Sequence, residues 1–188
     1  MKKLALIAAI GLASSLSHAA SFTFTGLSGI SGNSYSATNG GITVTVAAAS
    51  GNLGYFSADG FGVKDGFFDG QAMGDGESLI VSFSEAVTID SLRLRQWELA
   101  DRVQLVSAGG NLTLDAETAP FDSNETFSLA SLGAISSFTL TGDTFGTQAL
   151  LAALNDVQQV QEVPVPAAAW LFGSALVGLA GLRRRKAA

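Results

Sequence analysis

The chain has 188 residues, 47% of them hydrophobic, and a formal net charge of −6 from 10 basic and 16 acidic side chains. It has no cysteine, and its one histidine is His18, inside an N-terminal leader-like segment. Beyond that segment these counts exclude disulfides, a Ser-His-Asp or Cys-His nucleophile system and a zinc site built on His or Cys.

In chain order, the first element is a short basic start, Met1-Lys2-Lys3, followed by the apolar run Leu4 to Leu16. Ser17-His18-Ala19 then places small residues where a signal peptidase reads, which predicts a secretory signal peptide over residues 1–19 with cleavage after Ala19. A membrane helix is the weaker reading, because such a run reaches only ~20 Å against a hydrocarbon core of ~30 Å. Setting aside the leader and the basic C-terminal tail leaves Lys64, Arg93, Arg95 and Arg102 against 16 acidic residues, a net charge of −12. That body repels nucleic acid and anionic lipid, which call for clustered Lys and Arg. It suits a soluble extracellular domain that tolerates divalent cations.

The body alternates apolar and polar residues. Ile42 to Val46, Leu79 to Phe83, Val87 to Ile89, Leu92 to Arg95, Val103 to Val106, Leu112 to Leu114 and Phe138 to Thr141 all read as half-buried strands, with a phase slip at Asp90-Ser91. Asn39-Gly40-Gly41, Asp59-Gly60, Gly109-Gly110-Asn111 and Gly142-Asp143 supply the turns. This predicts a mainly β fold, an antiparallel β-sandwich or jelly-roll-like ectodomain over residues 20–154. Gln148 to Gln161 has good helix formers, but Gln148 to Leu154 is read as a closing strand and residues 155–162 as a linker.

Two stretches of the body carry candidate chemistry. Lys64 to Glu77 holds four carboxylates among glycines, residue types that suit calcium, with Asp69, Asp75 and Glu77 as ligands. The competing reading is that Asp-Gly recurs there because strands need turns. Period two puts Arg93, Arg95 and Trp97 on one face, a platform on which a sugar could stack. The competing reading is a bulge after Arg95 that turns Trp97 into the core. Asn111-Leu112-Thr113 and Asn124-Glu125-Thr126 match the glycosylation sequon and are read as coincidence.

The tail begins Val163-Pro164-Val165-Pro166, continues through Ala167 to Leu182 with Ser174 its one polar residue, and reaches Arg183-Arg184-Arg185-Lys186. With the preceding Val-Pro pairs, the apolar run approaches the ~20 residues of a membrane helix, and the terminal cations set it body-outside, tail-inside. Proline motif, small-residue apolar helix and arginine cluster together resemble a PEP-CTERM sorting tail of the VPxPAAxWL type over residues 163–186. Val165 stands where the namesake motif has Glu. The resemblance implies a transmembrane anchor read by an exosortase-type membrane protease, in a Gram-negative bacterium that makes exopolysaccharide. The sorting residues it implies are Val163, Pro164, Val165, Pro166, Arg183, Arg184 and Arg185.

These features predict an exported cell-surface or extracellular-matrix protein that binds exopolysaccharide, with no enzymatic activity. Its rivals are a small secreted hydrolase using carboxylates on the same glycan, and a structural matrix protein without a ligand.

Overall fold

The computed structural model describes residues 19–65, 70–115 and 123–160. Of the expected features, the leader up to His18, the sorting residues Val163–Pro166 and Arg183–Arg185, and the calcium ligand Asp69 lie outside them. Among the described residues there are eleven strands: β1 (Ala20–Thr23), β2 (Ser34–Asn39), β3 (Ile42–Ala48), β4 (Asn52–Phe56), β5 (Gly60–Lys64), β6 (Ser78–Trp97), β7 (Arg102–Ser107), β8 (Gly110–Asp115), β9 (Ser123–Ser128), β10 (Ile135–Gly142) and β11 (Leu150–Gln159). One short 3-10 turn, Ala130–Leu132, precedes β10. Every strand pairing is antiparallel, as the alternation predicts.

The organising element is β6, a continuous strand of 20 residues. In its first half Val81 lies between Val46 of β3 and Phe138 of β10. In its second half Leu92 lies between Leu154 of β11 and Phe127 of β9. Two layers result: β2–β3–β6–β10–β7–β8, and β9–β6–β11–β5–β4 with β1 also on β11.

Register explains the core. In the first layer Tyr35, Val46, Val81 and Phe138 form one cross-strand row, and Leu112, Leu105, Leu140, Leu79 and Ala48 form the next. The alternate residues face outward and carry hydroxyls, which pair across strands as Ser36–Thr45, Thr38–Thr43 and Ser78–Thr141, each at 2.8 Å. The layers meet at Phe61 of β5, which is fully buried and stacks on Tyr35, Tyr55 and Phe24 at 5.1, 5.2 and 5.4 Å. Each such pair adds about 0.5–1.5 kcal/mol beyond the area it buries. The Tyr55 hydroxyl also accepts the Leu27 N–H and donates to the Leu27 carbonyl, fastening the segment after β1.

The chain departs from its predicted boundaries at two points. The phase slip falls between Ser91 and Leu92, neighbours that are both buried while β6 stays unbroken. The linker expected from residue 155 is instead strand: β11 runs to Gln159, pairing Asn155, Val157, Gln158 and Gln159 with Ser91, Ile89, Thr88 and Val87. The long β6 edge presents backbone groups that need partners, and this need overrides the polar composition of the segment.

Gly54 and Gly62 face each other across the β4–β5 hairpin. A Cβ at either would strike the Gln71 carbonyl, so the two glycines form a trough in which the backbone at Gln71 lies. Replacing Gly62 with Ala forces that segment off the hairpin, costing about 1–3 kcal/mol. In thermal unfolding followed by circular dichroism, Tm should fall by about 3–10 °C. An unchanged Tm would show that the segment does not rest there.

Candidate ligand-binding cleft

The acidic, glycine-rich stretch forms a strap. Met73 is fully buried, donates its N–H to the Ala149 carbonyl (2.8 Å) and accepts the Ala149 N–H (3.3 Å). Further along, Gly76 N–H reaches the Gly142 carbonyl (2.9 Å), and Gly142 N–H reaches that of Glu77 (3.1 Å). The Glu77 carboxylate accepts the Gly74 N–H at 2.6 Å, closing the strap on itself. Of the expected calcium ligands, Asp75 and Glu77 therefore share this strap, with one Glu77 oxygen engaged, while Asp69 is outside the described residues. No group of three or more His, Cys, Asp or Glu that could hold a metal ion is formed among the described residues.

Of the two readings of Trp97, the structure takes the bulge after Arg95 over the sugar platform. Gln96 takes a positive φ of 54°, and the β6–β9 register slips between Leu94 and Trp97. This bulge moves Trp97 out of phase with Arg93 and Arg95. Trp97 is fully buried and meets Phe127 edge-on, ring centres 5.4 Å apart, so it offers no face to a sugar. Arg93 lies between Thr126 of β9 and Ala153 of β11. Arg95 is bound to Asp59 (3.3 Å) and to the Ala58 carbonyl, where it clamps the β4–β5 turn.

The same bulge opens a different site. Gln96 reaches one wall of a cleft of about 340 Å³ lined also by Phe56, Gln71, Asp75, Phe145, Thr147 and Gln148. Its Nε2 donates to Asp59 at 3.2 Å, and Gln71 Oε1 accepts the Tyr55 N–H at 3.1 Å. Each of these two amides is thus held by one end.

Phe145 is 98% exposed. It occupies the apex of a turn closed by Thr147 N–H on the Thr144 carbonyl (3.1 Å), with Gly146 at φ 93°, a conformation that favours glycine. The two threonine hydroxyls lie 2.8 Å apart, with the Ala100 carbonyl 3.1 Å from that of Thr144 and the Arg102 carbonyl 3.4 Å from that of Thr147, so their two protons make two of these three contacts at a time. A ring held there forgoes the roughly 1.5–3 kcal/mol that burial would supply. Sequence reading passed over it. The signal available was an aromatic residue inside the turn cluster Gly142-Asp143-Thr144-Phe145-Gly146-Thr147.

A second turn, Glu98 to Asp101, flanks the first. Asp101 N–H meets the Glu98 carbonyl (3.0 Å), and the Asp101 carboxylate accepts the Glu98 N–H (2.8 Å). It also accepts the backbone N–H of Gln148, and so ties this turn to the cleft wall. Asp101 is 5% exposed. Burial pushes its carboxyl above the ordinary value, partly countered by the two backbone donors, with the charge of Glu98 adding to the rise.

No family model matches the chain, and no curated protein does. A solved structure described as GH31 CBM32-2 bound to GalNAc is 13% identical, with 64% of this chain and 99% of that chain covered at a TM-score of 0.39. So distant a likeness transfers no residue from that protein to this cleft.

A carboxyl whose folded-state pKa is raised binds its proton more tightly folded than unfolded. Its contribution to stability is therefore complete below the ordinary value of 3.8 and is lost as the pH rises through the folded-state value. Asp101→Asn removes that dependence while keeping an acceptor for the Glu98 N–H. Above pH 3.8, Tm of the variant should fall less steeply with pH than that of the wild type. Equal slopes would mean that Asp101 ionises as in water.

Proposed function

We propose that the chain is an exported cell-surface or extracellular-matrix protein, carried through a PEP-CTERM-type tail, whose body holds exopolysaccharide in the cleft beside Phe145. The observation that carries the glycan reading is an almost fully exposed aromatic ring on a strapped turn, bordering walls of amide side chains. Aromatic faces with a few well-placed polar groups suit sugar rings, which are apolar above and below and polar around the edge.

Binding is favoured over hydrolysis by the carboxyl inventory. Glycoside hydrolysis ordinarily uses a pair of carboxyls across the scissile bond. Among the described residues Asp75 is the one carboxylate lining the cleft. The body's excess of acid supports secretion and disfavours nucleic acid as a partner.

The test is retention. Purified protein incubated with exopolysaccharide from the producing bacterium should sediment with the polymer and leave its length unchanged. Shortened polymer would establish a hydrolase, and polymer neither retained nor shortened would leave a structural filler.

The tail is tested separately. In this reading the chain is inserted with its body outside the cytoplasm, then cut near Pro164 to Pro166 by an exosortase-type protease. Mass spectrometry of the surface-associated protein should find a C-terminus at or before Pro166. A mature chain still carrying Arg183 to Lys186 would reduce the segment to a plain anchor.

A further inference from the structure

We propose that the cleft takes one neutral pyranose residue at a time, stacked on Phe145 and read at its rim by Gln71 and Gln96, and that it rejects acidic sugars. The inference rests on the glycan reading above and narrows it to a ligand class.

Phe145 supplies the stacking face. It is 98% exposed, while the turn beneath it is fixed by hydrogen bonds from Thr144 and Thr147, the latter 3% exposed. The ring is thus displayed on a pre-ordered support, which lowers the ordering cost of binding. Of the two aromatic residues among the described lining residues, Phe56 is half-buried and Phe145 is the exposed one, so the cleft offers one open stacking face, in contrast to the row of aromatic faces with which a strand of stacked units is tracked. The volume agrees: about 340 Å³ lies at the small end of ligand sites.

The polar rim is set by what each amide has left. Gln71 has its oxygen committed to the Tyr55 N–H and retains Nε2 as a donor. Gln96 has an Nε2 proton committed to Asp59 and retains Oε1 as an acceptor. A sugar hydroxyl both donates and accepts, so this pair suits a neutral polyol.

Charge supplies the discrimination. Asp75 is exposed at the cleft and Asp59 holds Gln96. Among the described lining residues there is no Lys or Arg. Arg95, the cation next in sequence to Gln96, is engaged by Asp59 and by the Ala58 carbonyl. A uronate or sulfate entering the cleft would meet like charge with no cation to receive it.

The experiment uses the full protein and four probes: the methyl glycosides of glucose, galactose and N-acetylgalactosamine, and methyl glucuronide. Ligand-observed NMR with titration should find at least one neutral glycoside binding, with a Kd on the order of millimolar. The glucuronide should bind at least about tenfold more weakly, a difference of about 1.4 kcal/mol. Phe145→Ala should weaken the neutral sugar at least about tenfold with Tm unchanged, because the ring is outside the core, and Phe145→Trp should restore it. Equal or tighter glucuronide binding overturns the neutral class. Undiminished binding by Phe145→Ala overturns the site. If exopolysaccharide is still retained by that variant, this inference fails while the glycan reading stands. If the wild type retains no glycan of any kind, both fall.

Discussion

The fold depends on a single strand being shared by the two layers of one continuous sheet. β6 contributes its first half to one layer and its second half to the other, and each half has partners on both edges. A strand buried this way needs both its backbone edges satisfied along its length, or unpaired amides and carbonyls remain inside. This explains why β11 runs on to Gln159 through a polar segment, and why β9 lies against the distal half of β6. It also explains the change of phase between Ser91 and Leu92, since the inward direction must be handed from one layer to the next. In a chain without cysteine, this continuity and the aromatic cluster around Phe61 supply the cross-linking that disulfides give other small domains.

The end of β6 decides the chemistry. Period two carried through to residue 97 would place the tryptophan outward with the arginines. The positive φ at Gln96 inserts one residue and reverses that parity. Trp97 becomes core, Gln96 becomes the cleft wall, and Arg95 remains where it can clamp Asp59. A large aromatic side chain gains more from full burial than from display, so the bulge is favoured once Phe127 is there to receive the indole edge. Display falls instead to Phe145, 98% exposed at the apex of its turn. Trp97 thus takes the opposite role to the one that period two alone assigns it, and the displayed ring is one that no periodicity marks.

The fold class was legible because alternation is a local signal and burial of one sheet face is a strong constraint. Val44, Val46, Leu79, Val81, Phe138 and Leu140 all point inward as their spacing requires. The site was less legible because its parts come from four separate stretches joined only by pairing. Gln71 reaches the cleft over Gly54 and Gly62, which lack side chains and lie on the preceding hairpin. Gln148 is placed by Asp101, and Phe145 by hydroxyls that find carbonyls at Ala100 and Arg102. None of these contacts leaves a periodic trace. The acidic cluster was visible as composition, yet composition could not reveal that Glu77 folds back onto the Gly74 N–H.

A shallow site for one sugar, as proposed above, is a weak device by itself, and the proposed sorting tail would give it a reason to exist. In the proposed reading many copies are displayed together at a surface, where a polymer offers the same residue repeatedly. Once one copy has engaged, a neighbour meets the next residue at an effective concentration set by the polymer's own length, in the millimolar range for short spans. Avidity then rises by orders of magnitude without any new contact, while each single contact still exchanges quickly. A net charge of −12 on the body works in the same direction, keeping neighbouring copies apart so that the polymer, and not protein–protein adhesion, joins them. On the proposed reading the same excess of acid turns acidic glycans away from the cleft and lets the displayed copies act as separate points of attachment.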